Sequence, residues 1–210
     1  MERRETAIPM TMTKRQALLR QAIDLFAVQG YQATPTAEIA ARAEVAEGTL
    51  FHHFGTKEGV LREILIGVFD RYFEQASQRV ETADTGLDGL GALLSFHFAF
   101  VADNCSEMLV ATRDFPYHLL DPDTDGYAEL MPRFRRHLGL FVTCLERGIQ
   151  DGSVREVPVN ETAHLLRSLL LGATRLALLG PLKVPDLSGP ALDLCHRGLA
   201  ANPVDVAESA

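Results

Sequence analysis

The chain has 210 residues, of which 47% are hydrophobic and 23% charged, with a formal net charge of −8. This length holds one large domain, or a small domain beside a medium one, and the composition excludes a disordered or fibrous chain. No apolar run reaches the roughly 18 residues of a membrane span. The charged start Met1–Met12 lacks the apolar stretch of a secretory signal, so a cytoplasmic protein with no membrane partner is expected.

The charge is divided unevenly. Residues 1–62 hold eight Lys/Arg against seven Asp/Glu, a balance of +1, whereas residues 63–210 hold twelve against twenty-one, a balance of −9. Cys105, Cys144 and Cys195 are odd in number and lack a CxxC spacing, so they read as free thiols with no metal and no cofactor.

Taken in chain order, almost every segment shows the 3.6-residue period of a helix and none shows strand alternation. Thr13 caps a helix with Leu18, Ala22, Leu25 and Phe26 on one stripe, closed by Gly30. Thr36 caps a second helix, and a turn near Ala43–Val45 leads to a third over Glu47–His53, ended at Gly55. Thr56 caps a long helix carrying Leu61, Ile64, Leu65, Val68 and Tyr72, expected to end near Glu81. Thr82–Gly89 reads as a polar hinge before a helix marked by Leu90, Leu93, Leu94, His97 and Val101. A short helix covers about Ser106–Arg113, and Asp114–Gly126 is irregular. A further helix starts near Pro132, where a first-turn proline is tolerated, and stops at Gly152. Asn160 caps an apolar helix over Glu161–Leu179, and the last spans about Ser188–Ala201. The expectation is an all-α protein of about nine helices with flexible ends at 1–12 and 202–210.

The stretch TAEIAARAEVAEGTLFHHFGTK, Thr36–Lys57, carries the functional signal. It encodes two short helices joined by a tight turn, the layout of a helix-turn-helix DNA reader. Ala40 and Ala43 are small where the two helices cross, and Val45 plugs the turn into the core. Gly48 lets the third helix approach a duplex with backbone N–H groups suited to an anion. The Thr49 hydroxyl and His53 imidazole can donate to phosphate, and Lys57 adds positive charge. Base reading falls to Ala46, Glu47 and His52. Glu47 can accept from cytosine N4 or merely complement the helix dipole, and both readings stay open.

The pattern I-A-x-x-A-x-V-x-x-G-T-L-F-x-H-F-x-x-K-E, over about residues 13–62, resembles the N-terminal domain of the tetracycline-repressor (TetR) family. The resemblance implies phosphate contacts from Thr36, Thr49, His53 and Lys57. It also implies a division into a head at 13–60 and a helical effector-binding and dimerisation domain at 61–201. The family usually has Tyr where this chain has Phe51, which leaves ring packing without a hydroxyl.

In the remainder, His97, Arg113, His118, His137 and Arg175 occur among Phe96, Phe100, Phe115, Tyr117, Phe134 and Phe141. That mixture suits a mostly apolar pocket with a few orienting polar groups, although a lone His on an apolar face is commonly a hydrogen-bonded core residue. The apolar helix at 161–179 suits burial on several sides. The resemblance implies a homodimer contact through Leu165, Leu169, Leu176, Leu192 and Leu199. Asp121–Gly126 copies the first half of a calcium loop, but Pro132 stands where the closing Glu is required, so calcium is not expected. No nucleophile–base pair or phosphate loop points to an enzyme.

These readings combine into a homodimeric regulator, expected to repress from a palindromic operator on double-stranded DNA and to be released by a small hydrophobic or mixed-polarity effector. The alternative is a small-molecule sequestering protein with a weakened head.

Overall fold

The computed structural model describes residues 12–124, 126–181 and 184–201. Both expected flexible ends beyond these bounds lie outside the described residues, as does Asp125. Among the described residues nine α-helices and one short 3-10 helix form, and no strand; a single isolated bridge joins Val154 to Ala200. The chain divides into two compact units, up to Ile64 and from Leu65.

The first unit is built from α1 (Lys14–Gln29), α2 (Thr36–Arg42), α3 (Glu47–Phe54) and the start of α4 (Lys57–Glu81). Thr13 and Gln16 form a reciprocal capping box on α1, so two otherwise unpaired backbone donors are satisfied at once. Gly30 ends the helix with φ 88°, a left-handed value that favours glycine. Leu18, Ala22, Leu25 and Phe26 of α1 are buried with Ile39, Ala40, Leu50, Val60, Leu61 and Ile64.

The expected cap at Thr36 is displaced by one residue. Pro35 takes the N-cap position with an extended backbone and no capping side chain, and Thr36 becomes the first helical residue. Thr56, as expected, accepts the Gly59 N–H at 2.9 Å to start α4.

The second unit holds the rest of α4 with α5 (Gly86–Asp103), α6 (Cys105–Arg113), the 3-10 turn Tyr117–Leu120, α7 (Tyr127–Asp151), α8 (Val159–Leu179) and α9 (Ser188–Leu199). Helix α5 packs against α7, α8 and α9, and α6 packs on α8. The core gathers Val68, Ala76, Val80, Leu90, Leu93, Leu94, Phe141, Leu145 and Leu170.

Helix starts are where the sequence reading slips. The hinge is shorter than expected, because Thr85 accepts the Asp88 N–H at 3.1 Å and starts α5 at Gly86. A Cβ on Gly86 would lie 2.1 Å from the Gly148 nitrogen, so glycine here permits a direct backbone approach of α5 to α7. Helix α7 begins at Tyr127 and not at Pro132, which sits inside it. Proline removes one N–H that would meet the Ala128 carbonyl, and Ala128 is exposed, so water can serve that acceptor. Helix α8 starts at Val159 after Pro158, with no cap from Asn160.

Candidate nucleic-acid interface and ligand cavity

In the first unit, the turn between α2 and α3 places Glu44 at φ 55°, the one non-glycine residue in the left-handed region among those described. Val45 N–H donates to Ala40 carbonyl at 3.0 Å, closing the turn, and Val45 is half-buried against the small Ala40. Leu50 then anchors α3 with no exposed surface. With Leu50 inward, Ala46, Glu47, Gly48, Phe51, His52 and His53 are exposed and Thr49 is half-exposed. Phe51 keeps 45% of its surface in solvent, so it packs only in part. A Cβ on Gly48 would meet nothing, which leaves an open approach to the first turn of α3. The face is a short helix with its positive dipole end free, next to the Thr49 hydroxyl and the His53 imidazole.

Two of the residues read as DNA contacts are engaged within the unit. The Thr36 hydroxyl donates to Glu47 Oε1 at 2.6 Å, tying the start of α2 to the start of α3. As folded, its proton is committed to a carboxylate and is not offered to phosphate. Lys57 Nζ donates to the carbonyls of Tyr31 at 3.0 Å, Gln32 at 3.3 Å and Thr34 at 3.1 Å, and lies 4.5 Å from the Tyr31 ring centroid. All three ammonium donors are used. Lys57 therefore fastens the loop between α1 and α2 in the DNA-free fold. Sequence spacing could not show this, because the partners are 23 to 26 residues away.

In the second unit, a cavity of about 260 Å³ opens among α4, α6, α7 and α8. His97, Phe115, Tyr117, Phe134, His137 and Arg175 line it, as read from the sequence. Five residues of that reading do not. Phe96, Phe100 and Phe141 are buried in the core, where Phe96 and Phe100 flank Tyr72 with centroids 5.1 and 5.2 Å away. Arg113 turns to Asp114 at 3.0 Å, and His118 is exposed on the 3-10 turn. The cavity instead adds Phe69, Tyr72 and Phe73 from α4, Met108 and Thr112 from α6, Arg133 from α7, and Arg167, Leu171 and Thr174 from α8. A signal for these was present. Met108 and Thr112, like Arg167, Leu171 and Arg175, recur at helical spacing and so share a face.

The polar groups of the cavity fall into two sets. Tyr72 hydroxyl lies 3.1 Å from His97 Nδ1, and His97 Nε2 lies 2.8 Å from Thr174 Oγ1. This buried chain is satisfied at each end of the imidazole. Arg133 is likewise paired, gripping Asp70 with Nε at 2.8 Å and Nη2 at 2.6 Å. By contrast, His137 Nε2 and Arg167 Nε are sealed from solvent and make no hydrogen bond. The His137 ring stacks parallel to His97 at 6.5 Å, and Arg167 rests over Phe134 at 5.4 Å.

Burial lowers His97 to about 4 and His137 to about 3, the latter helped by the neighbouring His97 and Arg167 charges, so both rings are neutral near pH 7. No carboxylate stands among the described residues lining the cavity, which carries three arginines.

On α8 and α9, Leu165 is 70% exposed, Leu176 is 51% and Leu194 is 64%. Leu169 and Leu192 are half-buried, and Leu199 is buried in the core of its own protomer. The outward residue of α9 is Leu194, which the sequence reading did not name. No described helix is long and apolar enough to cross a membrane, and the described residues hold no cluster of three metal-ligating side chains. In the acidic loop, Asp121 Oδ1 accepts the Asp123 N–H at 3.1 Å, an ordinary Asx turn.

A helix-turn-helix unit with an exposed second helix, joined in one chain to a helical body around a ligand-sized cavity, defines a one-component DNA-binding regulator. Comparison with known proteins agrees. The pattern of bacterial regulatory proteins, tetR family, matches residues 18–64. The HTH-type transcriptional repressor KstR2 of Rhodococcus jostii is 32% identical over 164 residues, spanning 77% of this chain and 78% of that one.

The structure of the ketosteroid transcriptional regulator KstR2 of Mycobacterium tuberculosis aligns with a TM-score of 0.75 at 23% identity, over 94% of this chain and all of that one. The transcriptional regulator FadR from Bacillus subtilis, in complex with stearoyl-CoA, aligns at 0.73 and 20% identity, over 87% and 97%. The chain belongs to the TetR family of bacterial regulatory proteins. It is a ligand-responsive transcriptional repressor that binds DNA, and regulators of this family act as dimers.

Proposed function

We propose that this cytoplasmic repressor grips a palindromic operator through two copies of α3 and is released when an amphiphilic anion enters the cavity of the second unit. The observation that carries the ligand class is the lining itself. Aromatic walls accept an apolar body, while Arg167 and Arg175 make no ion pair among the described residues and Arg133 adds a third guanidinium. With Arg133 held by Asp70, the two guanidiniums of Arg167 and Arg175 suit a carboxylate, phosphate or CoA thioester attached to that body. Support comes from the stearoyl-CoA bound to a relative of the same fold and from the ketosteroid in the name of another.

The functional division runs at 13–60 for the head and 61–201 for the body, supported by the compactness break after Ile64. On α3, Thr49, His53 and the open turn at Gly48 meet phosphate, while Ala46, Phe51 and His52 face base edges and Glu47 offers its second oxygen to cytosine N4. Exposed leucines at 165, 176 and 194 supply the dimer face. A ligand that binds one arrangement of the paired heads better than the operator-bound one weakens DNA binding by that difference in affinity. The protein acts by binding, not by turnover.

Genomic fragments retained by the purified protein are expected to share a palindrome. Thr49→Ala with His53→Ala is expected to weaken retention by about a hundredfold or more, since charge-assisted and dipole-supported phosphate contacts contribute roughly 1.5–3 kcal/mol each. Full sequence-specific affinity in that double variant overturns the interface. Stearoyl-CoA is expected to displace a labelled operator fragment, and Arg175→Gln to raise the concentration required by about tenfold.

A further inference from the structure

Resting on the reading of α3 as the helix that meets base edges, we infer that Thr36 is a specificity-determining residue of the repressor. It positions the Glu47 carboxylate to select cytosine at one site in each half of the operator. The Thr36 hydroxyl donates to Glu47 Oε1 at 2.6 Å, across the eleven positions that separate the two residues. A threonine that contacts phosphate spends the same proton, so the two roles exclude each other.

The bond joins two first turns that are themselves fixed. Thr36 opens α2, whose Ile39 and Ala40 are buried, and Glu47 opens α3, whose Leu50 is fully buried. The Val45 N–H donates to the Ala40 carbonyl at 3.0 Å and closes the turn between them. Thr36 is half-buried, whereas Glu47 is exposed. The anchor of the carboxylate thus belongs to the rigid frame, and the carboxylate itself to the reading face. Among the described residues Glu47 forms no ion pair, and Thr36 is its side-chain hydrogen-bond partner.

An acidic side chain on a DNA-facing helix is a liability unless it finds a donor, because phosphates repel it and dehydration without a partner is costly. Recognition helices meet base edges with their N-terminal residues, which is where Glu47 stands. With Oε1 taken, Oε2 keeps its lone pairs for one outward N–H. Cytosine presents only its N4 donor in the major groove. Thymine O4 and guanine O6 and N7 are acceptors, and adenine sets the N7 acceptor beside its N6 donor. A carboxylate is therefore matched by cytosine and opposed by the rest. A glutamate left free must fix its side-chain torsions on binding, and a bond made before DNA arrives reduces that cost. Phe51, one turn further along α3 and 45% exposed, supplies no hydrogen-bond donor, so a wrong base leaves the carboxylate unpaired.

The test measures binding of the full-length protein to its selected operator and to single-base variants of it. Wild type is expected to prefer cytosine over thymine about tenfold at one position per half-site, as one specific base contact implies. N4-methylcytosine keeps the base pair but blocks the outward N–H, and is expected to cost as much as thymine. Thr36→Val is expected to shrink both ratios about threefold, the effect of losing one pre-ordered side chain, and Thr36→Ser to restore them. Glu47→Ala is expected to abolish both ratios, and in that background Thr36→Val to change no base preference.

A loss of affinity in Thr36→Val that is uniform across sequences, with the cytosine ratio intact, overturns the inference and leaves Thr36 a phosphate contact or a plain tie between helices. A cytosine preference that survives Glu47→Ala overturns it as well. Retained affinity in the Thr49→Ala, His53→Ala variant removes the reading of α3 and the inference with it, whereas an unchanged ratio in Thr36→Val removes the inference alone.

Discussion

The reading head and the ligand cavity treat their polar side chains in opposite ways. In the head, Thr36 is bonded to Glu47, Lys57 to three carbonyls, and Thr34 hydroxyl to the Gly30 carbonyl at 2.7 Å. The unit is complete without its partner, and what it shows to DNA is a surface. In the cavity, the imidazole of His97 is saturated, while His137 and Arg167 are desolvated with nothing to bond. That region keeps two buried nitrogens unpaired within the fold. A surface reader can remain rigid and lose little, whereas a cavity that must report occupancy gains from being less stable when empty.

The sharpest way to break this comparison is by pH. Unfolded histidine takes a proton near pH 6.5. In the fold, His97 resists until about 4 and His137 until about 3. Between these values the unfolded state binds more protons, so stability falls as pH drops from about 6.5 toward 4, by up to about 1.4 kcal/mol per pH unit for each ring. Urea unfolding at successive pH values checks this, and His137→Phe should remove about half of the slope. An unchanged slope in that variant would mean that the acid sensitivity lies elsewhere.

Lys57 is the next test, because its two readings separate cleanly. As the fastener of the Tyr31–Thr34 loop it contributes about 2 kcal/mol, from charge-assisted hydrogen bonds and the Tyr31 ring together. Lys57→Met is then expected to lower the stability of the first unit by that amount while the salt dependence of operator binding keeps its slope. A phosphate contact would instead reduce the slope of log K against log salt by about 0.9 and leave thermal unfolding alone.

How much of this was legible in the sequence follows from the range of each interaction. The core face of α3 and the caps at Thr13 and Thr56 depend on residues within a few positions, and spacing reveals them. The helix starts at Pro35, Gly126 and Pro158 were misjudged because a proline or glycine can stand at a boundary without a capping side chain. The engagement of Lys57 and the pairing of Thr36 with Glu47 are tertiary, and no local pattern encodes them. In the cavity, aromatic character on α5 and α7 was visible, but which face turned inward was not. Phe96 and Phe100 went to the core while Tyr72, counted only as part of an apolar stripe, became the partner of His97.

A smaller effect sharpens the same contrast. If the orphaned nitrogen of His137 is held at a cost, replacing it with Phe should stabilise the ligand-free protein by about 1 kcal/mol, since a desolvated group without a partner is penalised by roughly 1–3 kcal/mol. Thr34→Val in the head should do the reverse by a similar amount. Thr34 is 1% exposed, so valine there removes the buried hydroxyl that donates to the Gly30 carbonyl at 2.7 Å. Chemical denaturation of both variants gives opposite signs if the two regions differ as described, and equal signs if they do not.

The smallest effect concerns the turn that aims α3. Glu44 holds φ 55° with an exposed side chain, a conformation that crowds Cβ against the backbone and costs an L-residue roughly 1–2 kcal/mol. Glycine removes that crowding but gains freedom in the unfolded chain, so the two terms partly cancel. Glu44→Gly is therefore expected to stabilise the first unit by about 0.5 kcal/mol, readable as slower amide exchange at Val45 and Leu50. The Val45 N–H is the reporter because its bond to the Ala40 carbonyl closes the turn. Faster exchange there would show that Glu44 is held by an interaction worth more than its strain. The turn would then belong, with Lys57 and Thr36, among the head's own fastenings.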